Sequence, residues 1–176
     1  MMIAQAPVLE TERLRLRPHS KADFENCRRL WQHPGTIRFI SGPVQDDQAI
    51  WFRMLRYGGM WPLLGFGFWA FEDKASGAYL GEGGLLDACR GVAGLESVPE
   101  AGWALTPEAG GKGLATEAMR AALAWADTTL DAPRIGCIIT PGNAPSLSVA
   151  AKLGFREAGR PDHHGAPTVL LYRERG

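Results

Sequence analysis

The stretch from Glu100 to Ala126 constrains the fold more than any other, because it reads as a strand, a glycine-rich turn and a helix. Residues 100–106 are short and mostly apolar, which is typical of a buried strand. Gly110-Gly111-Lys112-Gly113 follows, and from Leu114 onward apolar residues recur with the spacing of one buried helical face. A further alternating segment, Arg134–Thr140, predicts a second strand. Strand, helix and strand over this length indicate a parallel pair joined by a right-handed crossover.

Three glycines in four residues at a helix start have a physical use. Glycine adopts dihedral angles closed to other residues and lets a ligand approach the main chain. The first N–H groups of a helix lack an internal partner and lie at the positive end of its dipole, so the turn is suited to a phosphate or pyrophosphate. A plain glycine-rich connection is the alternative, and the glycines alone do not decide between the two. The segment lacks the GKS or GKT of a Walker loop and the G-x-G-x-x-G of a dinucleotide fingerprint.

The turn and the helix start, GGKGLATEA, resemble a known family. They are similar to the Q/R-x-x-G-x-G/A acetyl-CoA pyrophosphate loop of the GNAT acyltransferases, especially the Rim-type branch that acetylates protein N-termini. Gly110 takes the Q/R position, Gly113 the central glycine and Ala115 the final small residue. Relatives brace the loop with the Gln or Arg side chain that is missing at Gly110, but the N–H groups that contact phosphate remain.

Two further segments carry the same resemblance. Asn143-Ala-Pro-Ser146 followed by Ala151-Lys-Leu-Gly-Phe155 matches N-x-x-S…K-L-G-F, and the opening Glu12–Arg17 resembles the first strand of the Rim-type branch. The three segments together extend over most of the chain. The resemblance implies an α/β (α+β) fold with a mixed β-sheet flanked by helices, splayed at its centre where the Glu100 strand and the strand near Ile138 diverge to admit cofactor.

The remaining elements are predicted from hydrophobic periodicity and from turn and capping residues. We expect a strand at 12–17, helices at 21–32 and from Asp46-Asp47 to Gly58-Gly59, a hairpin of strands 66–72 and 78–86, a helix from Asn143 or Ala144 to Leu153, and a final hairpin of strands 155–159 and 168–172 around a loop at 160–167. Helices and strands alternate without a linker or repeat, so residues 1–176 are expected to form a single GNAT-like domain.

Composition excludes several classes of protein. The formal net charge is zero, so no electrostatic footprint for nucleic acid or anionic membrane is present. No apolar run approaches the ~20 residues of a membrane helix, and the N-terminus lacks the features of a signal peptide. Cys27, Cys89 and Cys137 are odd in number and widely spaced, which fits a reducing compartment rather than disulfides or a zinc site. We therefore expect a cytoplasmic protein, monomeric or homodimeric, with no nucleic-acid or membrane partner.

No metal is expected either. Adjacent His163 and His164 are potential metal ligands, but neighbours in sequence rarely bind one ion and no third ligand is evident. An exposed loop is the favoured interpretation of this pair.

The resemblance implies an acetyl-CoA-dependent N-acetyltransferase in which an amine attacks the thioester directly. This chemistry needs a base for the ammonium proton, donors for the developing oxyanion, and an acid for the departing thiolate. Backbone N–H groups around Trp103 to Leu105 are the expected oxyanion donors. The expected acetyl-CoA contacts are Trp103, Ala104, Leu105, Gly110, Gly111, Lys112, Gly113, Leu114, Ala115, Thr116, Asn143 and Ser146.

Two glutamates are candidates for the base. Glu100 lies on the strand that enters the glycine turn, where the family places a catalytic glutamate; a solvated strand end is the alternative. Glu82, among apolar neighbours on the adjacent strand, is either salt-bridged for structural reasons or a tuned catalytic acid, since an unpaired buried carboxylate is costly. We expect Glu100 to be the base, with Glu82 as its rival.

The resemblance makes Ser146 the candidate for the acid. Many GNAT enzymes use a tyrosine on the last helix, and Ala150 occupies that position here. Ser146 is the replacement seen in the Rim-type branch, although it also fits a simple helix start. A thiolate with a pKa near 8.5 can also leave unprotonated.

The acceptor is either a protein N-terminus or a small-molecule amine. The residues predicted to contact it are Arg38, Phe39, Arg53, Arg56 and Tyr57, although most aromatic side chains in this region are expected to pack in the core. A non-catalytic acyl-CoA sensor would keep the pyrophosphate loop but would not need an acidic residue facing the thioester. The presence of Glu82 and Glu100 favours an enzyme.

Overall fold

The computed structural model describes residues 5–39 and 44–176, and these form a mixed α/β structure with one large sheet. The strands are β1 (Leu9–Glu10), β2 (Leu14–Arg17), β3 (Phe68–Asp73), β4 (Tyr79–Leu86), β5 (Glu100–Leu105), β6 (Arg134–Ile139), β7 (Arg156–Gly159), β8 (Asp162–His163), β9 (Ala166–Pro167) and β10 (Val169–Glu174). The α-helices are α1 (Phe24–Gln32), α2 (Pro34–Ile37), α3 (Asp47–Leu64), α4 (Leu114–Thr129) and α5 (Ala144–Lys152). Single 3₁₀ turns precede α1 at Lys21–Asp23 and follow β5 at Pro107–Ala109.

The large sheet has the strand order β1-β2-β3-β4-β5-β6-β10-β7. All neighbouring strands in it are antiparallel except β5 and β6, which are parallel and joined by α4. The predicted run of three antiparallel strands, β3 to β5, and the predicted parallel crossover are therefore confirmed.

The sheet is split between β5 and β6. Along its other edge β5 pairs with β4 over its whole length, whereas it meets β6 in register only where Glu100 faces Gly136. A hydrogen bond from Gly136 N to Pro99 O, 2.9 Å long, closes this end. Beyond it the β6-facing edge of β5 has no strand partner within the described residues, which confirms the predicted central splay.

The helices cover both faces of the sheet. On one face α4 buries Ala118, Met119, Ala122 and Leu123 in the main core, and the alanines in this stripe allow the helix to lie close to the strands. On the other face α1 and α3 bury a second cluster, Cys27, Leu30, Trp31, Ile50 and Met54. None of the helices in the described ranges has both the length and the hydropathy that crossing a membrane requires.

Helix α3 is longer than the sequence predicted. It runs through Gly58-Gly59, the expected stop, and ends at Gly65, whose N–H bonds to the Trp61 carbonyl in the left-handed conformation typical of a helix end. Trp61 explains the extension, because its ring packs edge-on against Trp69 and Trp125 with centroids 4.7 and 5.5 Å away. Burial of this indole outweighs the low helix propensity of two glycines.

Smaller boundaries also differ from the predictions. The first predicted strand begins at Leu14 rather than Glu12, because Thr11 N bonds to Leu14 O in a turn. The expected loop at 160–167 contains the small hairpin of β8 and β9. Neither β1 nor α2 was predicted; each has only two to four residues, too few for a periodic signal.

Candidate active site

The start of α4 presents a run of free backbone N–H groups. Gly111 and Gly113 have φ values of 71° and 76°, in the left-handed region that glycine occupies without strain. The first N–H of the helix with a backbone acceptor belongs to Glu117, which donates to Gly113 O. The N–H groups of residues 111–116 have no hydrogen-bond acceptor among the described residues. This geometry is that of an anion site at a helix N-terminus.

A cavity of about 530 Å³ opens over this turn and extends along the split edge of β5. Every residue predicted to contact the cofactor lines it except Lys112. Lys112 is exposed, and its carbonyl accepts a hydrogen bond from Arg13 Nη1 at 3.0 Å. The structure thus brings the two sequence motifs, the glycine turn and the Asn143–Ser146 segment, to opposite walls of one cleft.

Arg13 and Glu117 brace the turn from outside the cleft. The Arg13 guanidinium forms an ion pair with Glu117 at 2.7 Å, and the same carboxylate accepts from Arg13 N and from the Thr11 hydroxyl. The lowered pKa of Glu117 reflects these contacts, which outweigh its partial burial. Together with the bond to the Lys112 carbonyl, they tie the turn to the segment just before β2, so the loop is braced although position 110 carries no side chain. Sequence reasoning missed this pair, since Arg13 and Glu117 lie 104 positions apart.

The free edge of β5 offers backbone donors to the cleft. Thr106 N bonds to Leu80 O, so the N–H of residue 106 faces β4. Because N–H directions alternate along a strand and the β4–β5 register is continuous, the N–H groups of Trp103 and Leu105 face the split. Both groups belong to the segment in which the oxyanion donors were predicted.

Asn143 and Ser146 lie at the start of α5, on the wall opposite β5. The Asn143 Oδ1 accepts from Ser146 N at 3.3 Å and so caps the helix, and both residues line the cleft. Ala150 is fully buried on this helix. No tyrosine therefore occupies the position from which many relatives donate a proton.

A second cavity of about 470 Å³ adjoins the first. Five residues line both, so the two form one continuous cleft: Trp31, Phe39, Trp103, Asn143 and Ser146. Of the residues predicted to contact an acceptor, Phe39, Arg53 and Arg56 line the second cavity. Tyr57 lines neither cavity, because it is 2% exposed and lies in the core. Arg38 also lines neither cavity, and its guanidinium carbon lies 5.2 Å from the centre of the Phe39 ring.

Glu100 lies in the wall of the second cavity. Its side chain is 8% exposed and accepts from Arg90 Nη2 at 2.8 Å. Burial raises the pKa of this carboxyl, and the Arg90 charge opposes the rise. Glu100 therefore combines access to the cleft with a pKa displaced toward neutrality, the properties expected of a base.

Glu82 is fully buried and lines neither cavity. Its Oε1 accepts from Trp31 Nε1 at 2.7 Å and from the Tyr57 hydroxyl; its Oε2 accepts from the Tyr79 hydroxyl at 2.7 Å and faces His19 Nε2 at 3.3 Å. Burial raises the pKa of Glu82, but the His19 and tyrosine contacts outweigh it and hold the pKa at about 2. The carboxylate thus connects α1, α3 and β4, and none of these partners was predicted from the sequence.

Glu82 also belongs to a set of potential metal ligands. Among the described residues, it lies with His19 and Cys27 in a group whose ligand atoms are all within 4.8 Å of one another. Burial raises the pKa of the Cys27 thiol, and donors from Trp31 and two tyrosines already occupy the Glu82 oxygens. The chemistry of this group is that of a hydrogen-bonded buried carboxylate. His163 and His164 stack with ring centres 4.0 Å apart in the β8–β9 hairpin and belong to no such three-ligand group of the described residues.

Comparison with known proteins gives a consistent family. A model described as "Acetyltransferase (GNAT) domain" matches residues 13–156. A structure assigned to the GnaT-family acetyltransferases, from Bordetella pertussis, is 34% identical with a TM-score of 0.82, covering 96% of this chain and 99% of that one. An acetyltransferase from Agrobacterium tumefaciens is 27% identical with a TM-score of 0.84, at 96% and 95% coverage. The uncharacterized protein YkkB of Bacillus subtilis (strain 168) is 28% identical over 84% of each chain.

More distant structures share the fold alone. They include a spermidine N-acetyltransferase from Vibrio cholerae, solved with CoA and spermine, and a ribosomal-protein-S5-alanine acetyltransferase from Vibrio fischeri. Both are 17% identical to this chain. The first has a TM-score of 0.73 and covers 94% of this chain and 97% of its own. The second has a TM-score of 0.77 and covers 97% of each chain. With the family model matching most of its length, this chain belongs to the GNAT acetyltransferase family.

Proposed function

We propose that this protein is an acetyl-CoA-dependent N-acetyltransferase that transfers the acetyl group directly to a primary amine. The observation that carries the proposal is the cleft in the split of the sheet. It has an anion site at one end, in the turn before α4, and a partly buried carboxylate, Glu100, at the other. Family membership supplies acetyl-CoA as the co-substrate.

At the cofactor end, the proposed contacts are made mainly by backbone. The N–H groups of residues 111–116 would hold the pyrophosphate, each charge-assisted hydrogen bond contributing ~1.5–3 kcal/mol. The N–H groups of Trp103 and Leu105 would bond to the pantetheine arm or to the thioester oxygen as it gains negative charge. Asn143, already engaged as the cap of α5, adds an amide to the opposite wall.

Glu100 is proposed as the base. The acceptor ammonium loses one proton to Glu100, directly or through one water, and the free amine then attacks the thioester carbon. The new C–N bond forms, the C–S bond breaks, the sulfur leaves as CoA thiolate, and the second nitrogen proton passes to the thiolate or to water. Glu82 is the weaker candidate because five donor groups surround its carboxylate away from the cleft.

Ser146 remains the candidate for protonating the thiolate. It lines both cavities and lies four residues before Ala150 on α5, so the two residues share one face of the helix. A thiol pKa near 8.5 makes protonation a small part of the barrier at neutral pH. We therefore expect Ser146→Ala to lower kcat by much less than removal of the base.

The acceptor is proposed to be a primary amine, and the sequence motifs of the Rim-type branch make a protein N-terminus one candidate. A small-molecule amine is the second, since a cavity of about 470 Å³ suits a small ligand. A screen that measures thiol release from acetyl-CoA, over peptides with different N-termini and a panel of small amines, distinguishes them. CoA binding without turnover of any amine would instead support an acyl-CoA sensor.

The base is tested by Glu100→Gln across a pH series. Because burial raises the pKa of Glu100, kcat/KM in the parent should fall below that pKa as the carboxylate becomes protonated. Glu100→Gln should lower kcat/KM at neutral pH about 10²–10⁴-fold and remove this acidic limb, leaving a rate that follows deprotonation of the amine. CoA affinity should change little.

Two controls accompany this experiment. Glu12→Gln changes an exposed carboxylate outside the cleft and should behave as the parent protein. If Glu82→Gln loses the acidic limb and Glu100→Gln keeps it, the two roles are reversed; if both keep it, catalysis consists mainly of positioning.

A further inference from the structure

The acceptor end of the cleft carries more positive than negative charge. Arg53, Arg56 and Arg90 line the second cavity, and Glu100 is the one acidic residue among its described lining residues. Arg90 is paired with that glutamate. Among the described residues, no carboxylate oxygen lies within 4.0 Å of a guanidinium nitrogen of Arg53 or Arg56. The remaining residues, 1–4 and 40–43, contain no Asp or Glu. Two guanidinium groups therefore border the cavity without an acidic partner.

Arg53 is held in place by neutral groups. Its guanidinium carbon lies 3.7 Å from the centre of the Trp31 ring, a close cation–π contact. Its Nε donates to Gln45 Oε1 at 3.1 Å, and its Nη1 donates to the Tyr57 hydroxyl at 3.2 Å. These contacts fix the orientation of the guanidinium while leaving its positive charge uncompensated and its Nη2 without a protein acceptor among the described residues.

Glu82 fixes the two aromatic side chains that hold Arg53. The Trp31 indole N–H and the Tyr57 hydroxyl both donate to the same buried oxygen, Oε1. Because the Tyr57 hydroxyl gives its hydrogen to Glu82, its oxygen is free to accept from Arg53. Glu82 therefore positions Arg53 through these two residues, and the guanidinium is ordered before any acceptor binds.

Arg56 lies three residues after Arg53 on α3, so the two side chains emerge from the same face of the helix. It is exposed, and its guanidinium carbon lies 5.8 Å from the centre of the Tyr57 ring. One ordered and one exposed arginine thus border the same end of the cavity.

We propose that the acceptor is a small amine that also carries a carboxylate or a phosphate group, and that Arg53 and Arg56 bind this anion. The proposal rests on the N-acetyltransferase function given above. A planar guanidinium matches the paired oxygens of a carboxylate or phosphate, and an ordered one loses little entropy on binding. With the anion at α3, the amine of a short acceptor extends into the cavity toward Glu100. The same charges oppose binding of a polycation.

The test compares matched amines in the acetyl-CoA thiol-release assay. The carboxylate pair is β-alanine and β-alaninamide; the phosphate pair is 2-aminoethyl phosphate and 2-aminoethanol; 1,4-diaminobutane is the cationic amine. Rates are compared at equal concentrations of free amine, because the neutral and anionic members differ in amine pKa. The variants are Arg53→Met, which keeps an apolar stem against Trp31, Arg56→Met, and Arg29→Met, which removes an exposed arginine of α1 that pairs with Glu25.

We expect at least one anionic amine to exceed its neutral partner about tenfold or more in kcat/KM. Arg53→Met should raise KM for that amine about 10- to 100-fold with kcat little changed, and leave the neutral partner within about twofold. Arg56→Met should also raise KM for the anionic amine. Arg29→Met should leave the kinetics of both the anionic and the neutral amine unchanged. A preference for the anionic member in the β-alanine pair identifies the anion as a carboxylate. The same preference in the 2-aminoethyl phosphate pair identifies it as a phosphate.

Two results would overturn the proposal: preference for the neutral or cationic amines, or an equal loss for both members of a pair in Arg53→Met. Calorimetry on the CoA-bound protein separates this inference from the proposed function. If no amine is turned over but the anionic amines bind the parent and not Arg53→Met, the anion site stands and the enzymatic proposal fails. If they neither react nor bind, the anion site is wrong.

Discussion

Replacing Gly113 with valine tests the anion site most directly. Gly113 has φ 76° at the start of α4, where a β-branched residue is strongly disfavoured; the strain is about 2 kcal/mol. Steric crowding adds little, because the atom nearest to an added Cβ is Arg13 Nη2 at 3.8 Å. The cost is therefore conformational, and the exposed turn can relieve it only by leaving the left-handed region.

Relief of the strain reorients the N–H groups that face the cleft. Binding of CoA would have to restore the original turn and so would lose up to the same ~2 kcal/mol, which corresponds to a Kd raised about 30-fold. Loss of one charge-assisted hydrogen bond to phosphate gives a weakening of similar size. Calorimetric titration with CoA measures the effect.

Gly77→Val is the matched control. Gly77 has φ 72°, is exposed, and has no atom within 4 Å of an added Cβ, but it lies in the β3–β4 turn. Its variant should lose comparable stability, lowering Tm by roughly 4–8 °C, and bind CoA as the parent does. A Gly113→Val protein whose Kd for CoA stays within threefold of the parent value would refute the assignment of the pyrophosphate to this turn.

Three further predictions concern stability and metal dependence. Asn143→Ala removes the cap of α5 and should cost ~1 kcal/mol of stability and weaken CoA binding; if Tm and Kd both stay unchanged, the motif match is incidental. In the folded protein the pKa of Glu82 is lowered from 4.5 to about 2, so its ionised form stabilises the fold by on the order of 3 kcal/mol. This stabilisation is complete above the unfolded pKa near 4.5 and is lost as the pH falls toward 2. In urea unfolding, the free energy of unfolding of the parent should exceed that of Glu82→Gln by a difference that narrows as the pH falls over this range. A difference that stays constant with pH would contradict the charged state assigned to Glu82. Activity should persist after treatment with chelator and reductant; a loss that added metal restores would implicate His163 and His164 or the group around Glu82.

The sequence predicted best those parts of the fold whose causes are local. The strand at 100–106, the glycine turn and α4 follow from periodicity and glycine dihedral angles within 30 residues, and all three are confirmed. The end of α3 was wrong because Gly58-Gly59 is a local stop signal, whereas the cause of the extension, packing of Trp61 on Trp69 and Trp125, involves residues 8 and 64 positions away. A propensity argument does not include such contacts.

The same distinction applies to the cleft. Eleven of the twelve residues predicted to contact the cofactor line its first cavity, because they lie in two short sequence motifs and the strand next to one of them. The bracing of the glycine turn by Arg13 and the five donors around Glu82 were not predicted, because each contact joins residues from elements distant in sequence. From the sequence, Glu100 was the preferred base and Glu82 its rival. The packing of α1 and α3 on β4 buries Glu82 away from the cleft, and the sequence did not predict this packing.

This difference explains why family membership indicates the cofactor but not the acceptor. The proposed pyrophosphate site depends on N–H groups and glycine dihedral angles, so any chain that keeps the turn keeps the site. The proposed acceptor site depends on side chains from α1 and α3, where Trp31, Tyr57 and Glu82 order Arg53. A change at any of these positions would alter acceptor binding while leaving the glycine turn intact. Relatives that share this fold can therefore differ in acceptor, and the residues to compare among them are those that hold the arginine on α3.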